Sequence, residues 1–190
     1  MTSIRYRGDT VVELVLAFAI FSLAAVTTVL ILNKGVAISQ RSLEQSLVRQ
    51  QVDGQAEIIR YLRDTASPRW ADLKGLVTTK PLGLTNAKCP TVDVISTGGA
   101  NGFIVVPDAT DVAGFRVMRA STTTYQLAQV FAKIDFVKKK SDGMWVQIVK
   151  AEDGGSGVDA YDFYVHGCWD APGLDVPMSV GTIVRLYDRP

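Results

Sequence analysis

The spacing of apolar and polar positions divides the chain into three textures. From Leu14 to Leu32 there is no charged residue. A helix over Val11 to Leu32, at 1.5 Å per residue, would span about 33 Å and match a hydrocarbon core of about 30 Å. Further on, the apolar positions thin to Leu43, Leu47, Val48, Val52, Ala56, Ile59 and Leu62, mostly three or four apart, which is helical periodicity. Gly35 and Gly54 each cost such a helix about 1 kcal/mol relative to Ala without ending it. Pro68 disfavours helical geometry in the residue before it, so the end is predicted near Asp64 to Ser67. The result is one helix of roughly 55 residues, too long to bury its first half against a chain of this size. Neither Gly nor Pro occurs between Asp9 and Lys34. An unbroken helix is therefore expected, with any local unwinding in a filament confined to the poorer helix formers near Val26 to Thr28.

After Pro68 the texture becomes Gly, Thr, Pro and short apolar runs. Val92 to Ile95, Gly102 to Val106, Met144 to Val149, Tyr161 to Val165 and Thr182 to Tyr187 are predicted strands, with turn-rich stretches at Ser96 to Asn101 and Lys140 to Gly143. The segment Tyr125 to Ala132 reads equally as a short helix or a strand. Strands following one long helix place the fold in the α+β class.

Charge orients the apolar run. Arg5 and Arg7 precede it and the next basic residue is Lys34, so the short N-terminal end is expected in the cytoplasm and the remainder exported. The run is longer than the apolar stretch of a cleaved secretory signal, and its far end, Leu30-Ile31-Leu32-Asn33-Lys34-Gly35, offers no small-residue cleavage site. Glu13 lies just inside the apolar boundary, where a carboxylate costs up to about 2.5 to 3.5 kcal/mol at mid-membrane and less near the edge. Thr10-x-x-Glu13 also reads as a capping box at the helix start.

Basic residues, then Gly8, then Glu13 five positions beyond it, then a membrane-length apolar run leading into an amphipathic helix: this constellation resembles the class III signal of type IV prepilins and pseudopilins. The resemblance implies cleavage by a prepilin peptidase after Gly8, Asp9 as the mature terminus, and Glu13 as the carboxylate that pairs with a neighbouring subunit's N-terminal amine. It divides the chain into a leader (1–8), a transmembrane and assembly helix (9–33), its amphipathic continuation (34–66) and an exported β-rich head (67–190). The implied fold is a long helix packed on an antiparallel sheet. The implied partners are further copies in a helical filament, the peptidase and the assembly machinery. The implied location is the inner membrane before assembly and the cell surface or envelope afterwards. The family usually begins its mature, N-methylated chain with Phe or Met where this chain has Asp9, and usually carries a Gly or Pro in the membrane half. An uncleaved, signal-anchored binding or adhesin protein would share the membrane span and keep Met1.

Composition narrows the remaining chemistry. Lys plus Arg is 20 and Asp plus Glu 19, a balance that argues neither for nucleic acid nor for disorder. Cys89 and Cys168 both fall on the exported side of this topology, where an even pair reads as a disulfide, the alternative being two buried thiols. Their spacing fits neither a zinc site nor a CxxC motif. His166, the single histidine, has no nucleophile or carboxylate pattern around it, and no catalytic fingerprint appears, so the expectation is a protein that is not an enzyme. Glu152, Asp153 and Asp159 on a Gly-rich loop are weak candidates for calcium, because clustered carboxylates supply the oxygens that calcium takes. Lys138-Lys139-Lys140 with Trp145 is a weak candidate for DNA, cations meeting phosphates while the indole stacks. A solvated lysine turn fits the following Ser-Asp-Gly better. Trp145, Tyr161, Phe163, Tyr164 and Trp169 read as sheet core, with any exposed subset available to a host surface.

Overall fold

The structure, a computed structural model, describes residues 9–82, 88–96, 100–151, 158–171 and 173–188, the side chains of Asp9 and Thr10 excepted. The chain falls into two units, Met1–Gln40 and Arg41–Pro190. Helix α1, Asp9–Asp64, is unbroken through Gly35 and Gly54. Among the described residues it is the one element of the first unit. Thr27 Oγ1 donates to the carbonyls of Leu23 and Ala24, both at 2.9 Å, and Thr28 Oγ1 to that of Ala24 at 2.7 Å. These bonds satisfy hydroxyls that would otherwise be unpaired in an apolar run, and the helix is continuous across Val26 to Thr28.

In the second unit α1 buries Glu44, Val48, Val52, Gln55, Ala56, Ile59 and Leu62, one stripe at helical spacing. The helix ends where Ala66 takes a left-handed φ of 50°. Ser67 N–H then bonds Leu62 O and Ala66 N–H bonds Arg63 O, both at 3.1 Å, the paired return bonds of a Schellman ending. Ser67 also opens helix α2, Pro68–Lys74: its Oγ accepts Arg69 N–H at 3.3 Å, and Pro68 occupies a position where the missing N–H costs nothing.

The remaining elements are β1 (Val77–Thr78), α3 (Val92–Ser96), β2 (Phe103–Pro107), β3 (Phe115–Arg119), β4 (Tyr125–Gln126), β5 (Lys133–Asp135), β6 (Lys140–Asp142), β7 (Met144–Ala151), β8 (Ala160–Trp169) and β9 (Met178–Tyr187). The main sheet runs β3-β2-β7-β8-β9, antiparallel along that path, with β1 added parallel to β7. A small second sheet has the order β4-β6-β5. Val146, Ile148, Phe163, Val165, Val184 and Leu186 share one core with the buried stripe of α1, so the fold is a long helix packed on an antiparallel sheet. The opposite face carries a smaller cluster of Ile95, Tyr125, Trp145 and Cys168.

Several sequence expectations are corrected. Val92 to Ile95 is the helix α3, not a strand. Ile95 N–H bonds Thr91 O at 3.2 Å, and the fully buried Ile95 side chain belongs to the cluster around Trp145, so docking overrides the β-branched composition. Gly102 makes that docking possible, since a Cβ there would lie 2.1 Å from Ile95 Cγ2. Ser141 and Asp142, read as a turn, form β6 with Lys140, and the ambiguous stretch from Tyr125 contributes only the two residues of β4.

Candidate functional site

Two regions bear on function, one in each unit. In the first, every large apolar side chain from Val11 to Ile38 is exposed. This is the one helix among the described residues long and apolar enough to cross a membrane. Glu13 is exposed on it and has no ion-pair partner among the described residues. Gly8 lies outside the described residues, and Asp9 is the first helical residue. The Thr10 side chain, and with it the capping box, is also outside the description.

In the second unit Cys89 and Cys168 form a disulfide, Cα to Cα 5.5 Å, which ties the segment before α3 to β8 across 79 positions. Beside it Tyr125, on β4, donates its hydroxyl to Pro90 O at 2.9 Å, and burial pushes that phenol above its ordinary range. His166, on β8, stacks on Trp145 of β7 at 5.2 Å and faces Tyr164 at 6.2 Å. Burial pushes the imidazole below its ordinary value of about 6.5. Its Nε2 and the Trp145 Nε1 are buried with no hydrogen-bond partner among the described residues. Tyr164, His166, Gly181, Thr182 and Ile183 line an open groove of about 700 Å³ walled by Pro81 and Leu82. Among the described residues the groove brings His166 together with the hydroxyl-bearing Tyr164 and Thr182 and with no carboxylate.

Of the calcium candidates only Asp159 lies among the described residues, whereas Lys138, Lys139, Lys140 and Trp145 are all described. Among the described residues no group of three or more His, Cys, Asp or Glu side chains is placed to hold a metal. Asp159 instead pairs with Lys150 at 2.7 Å, while Glu152 and Asp153 lie outside the description. Trp145 is 1% exposed, so it offers no stacking face. Of the three lysines, Lys139 is drawn to the buried carboxylate of Asp108 at 2.8 Å. Trp169, Phe163 and Tyr161 are buried as sheet core, and Tyr164 is half-buried.

Sequence reasoning missed the charged clamps that fix the turns. Asp108, in the β2–β3 turn, accepts from Lys139, Thr110 and Arg116, and these donors hold its carboxyl well below the usual range. Asp111 receives Arg69 of α2 at 2.6 Å and is lowered likewise. The pattern Asp-x-Thr-Asp before a Gly signals a turn, but nothing local names cations that come from 31 and 42 positions away. No family model matches the chain, and no curated protein or solved structure matches it.

Proposed function

We propose that the chain is a structural subunit of a type IV pilus-like or pseudopilus filament, processed by a prepilin peptidase after Gly8 and polymerised through α1. The observation that carries this reading is the state of the first unit. The large apolar side chains from Val11 to Ile38 are each between 55 and 70% exposed, and one carboxylate, Glu13, stands among them.

That much apolar surface is stable only in lipid or against other apolar helices. Lipid accepts the aliphatic side chains but leaves the acid without a counter-charge. Cleavage after Gly8 would create an ammonium at Asp9, and a carboxylate and an ammonium brought together in low dielectric offset each other's desolvation. The resemblance to prepilins assigns the ammonium to a neighbouring copy displaced along the axis, while the same terminus, one turn from Glu13 in its own helix, is the competing donor. The head would then be exported, in the oxidising surroundings that suit the Cys89–Cys168 bridge.

Glu13→Gln tests the docking step without changing side-chain size. The expected outcome is normal membrane insertion and processing with filaments lost. N-terminal sequencing should find mature protein starting at Asp9, and Gly8→Val should leave the leader attached. An intact Met1 in wild-type protein, or filaments of Glu13→Gln at ordinary yield, would remove the assignment and favour a plain membrane anchor.

A further inference from the structure

The hairpin joining β5 to β6 ends in Asp135-Phe136-Val137-Lys138-Lys139-Lys140, and its tip is held from within. Asp135 Oδ1 accepts the N–H of Val137 at 3.1 Å and of Lys138 at 2.9 Å. Lys139 sits at a left-handed φ of 54°. Its ammonium reaches Asp108 in the β2–β3 turn, a carboxylate also engaged by Arg116 at 3.1 Å. This frame turns two apolar side chains outward: Phe136 is 42% and Val137 93% exposed.

Three exposed lysines lie on the same hairpin, Lys138 at its tip, Lys140 opening β6 and Lys133 at the start of β5. The Lys133 ammonium also lies 5.5 Å from the Phe131 ring. Lys138 stands 3.8 Å from Asp135 and Lys133 3.9 Å from Asp142, both loose, solvated contacts that are redirected at little cost. Lys140 is exposed and has no ion-pair partner among the described residues. Apolar residues at the apex of an ordered turn, with lysines directly behind them, match the layering of an anionic bilayer surface, where acyl boundary and phosphates lie at successive depths.

We propose that this tip docks on an anionic lipid surface, with Phe136 and Val137 entering the headgroup boundary and Lys133, Lys138 and Lys140 meeting the phosphates. Nucleic acid fits less well. Phe136, the one aromatic ring at the tip, is 42% exposed, the more exposed Val137 is aliphatic and has no face for a base, and the indole of Trp145 is buried. Because the tip is already ordered, little conformational entropy is lost on docking. The inference does not depend on the filament reading, since it concerns the second unit alone.

The two cysteines are joined and no free thiol remains, so Val137→Cys puts one reactive thiol on the tip. The full chain carrying it is reconstituted in vesicles of phosphatidylcholine alone or with phosphatidylglycerol added, and labelled with a membrane-impermeant maleimide. Labelling is expected to slow about tenfold in the anionic vesicles, with each of Lys133→Gln, Lys138→Gln and Lys140→Gln recovering up to roughly fivefold. Ile183→Cys, on the exposed outer residue of β9, is expected to label equally in both. Equal rates at Val137→Cys, or equal slowing at Ile183→Cys, would overturn the proposal. Protection by a single-stranded oligonucleotide in neutral vesicles, with none from anionic lipid, would also overturn it and assign the tip to nucleic acid.

Discussion

Strand β2 touches β7 through a single register pair, Phe103 with Val146, and the backbone of Val105 is left facing α1. There Gln55 completes it. Nε2 donates to Val105 O at 2.8 Å and Oε1 accepts Val105 N–H at 3.0 Å, so one side-chain amide does the work of an adjoining strand. Gln147 bridges in the same way on the opposite side, donating to Ala100 O at 2.9 Å and accepting Leu82 N–H at 3.0 Å. Gln55→Leu would keep the volume and strand two buried backbone groups, each costing about 1 to 3 kcal/mol. A loss of roughly 2 to 4 kcal/mol is expected in urea unfolding. The exposed control Gln50→Leu should stay within about 0.5 kcal/mol. His166 makes a pH-dependent contribution of definite sign. Its folded value lies below the unfolded one of about 6.5, so between the two the unfolded chain binds more protons. Stability is therefore complete above about pH 6.5 and falls as the pH drops toward the folded value. Replacing His166 by Phe keeps an aromatic ring in the stack and should flatten that slope between about pH 7 and 5; an unchanged slope in thermal melts would assign it to other groups.

At the scale of elements, what the sequence made legible was what local periodicity controls. Helix α1 and the inner strands β7 and β8 were readable because their apolar spacing is regular and their turn residues are conspicuous. Strand β3 was not, since Arg116 and Arg119 interrupt its apolar run, as suits a sheet edge. Nor was the first half of β9, whose predicted strand begins only at Thr182 although the observed one starts at Met178 and runs through Gly181. The strand in fact continues through it, because a Cβ there would lie 2.9 Å from Val165 O and 3.0 Å from His166 Nδ1. Helix α3 is the clearest reversal, a β-branched run made helical by what it packs on. Of the candidate site, Glu13 was readable as a charge in an apolar context, whereas the Asp108 and Asp111 clamps depend on partners distant in sequence. The Cys89–Cys168 pairing was readable because only two cysteines exist. Since α3 is short and held chiefly by Ile95 and the bridge, reduction should release it first. Hydrogen exchange of the reduced chain is expected to lose protection at Val92–Ser96 while β7 and β8 keep theirs. The global loss should be no more than about 4.5 kcal/mol.

Across the whole molecule the two units divide the physical tasks unequally. The buried apolar residues of α1 begin at Val48, and the earliest buried residue is Glu44, which accepts from Trp169 Nε1 at 3.2 Å. The first unit contributes apolar area but no core. A chain reduced to Arg41–Pro190 should therefore retain every buried side chain described, keep Arg41 bonded to Gly173 O at 3.1 Å, and lose a helical segment whose large apolar side chains are exposed. Such a fragment is expected to remain in solution without detergent and to unfold in one cooperative step. Its Tm should lie within about 3 °C of that of the same unit in the full chain, a shift corresponding to no more than about 1 kcal/mol for a domain of this size. A much lower or non-cooperative melt would mean that the helix before Gln40 supports the sheet as well as carrying the membrane-length run. In that case the apolar surface from Val11 to Ile38 would be partly a folding device, and the loss of filaments in Glu13→Gln would have to be checked against the stability of the second unit before it was credited to docking.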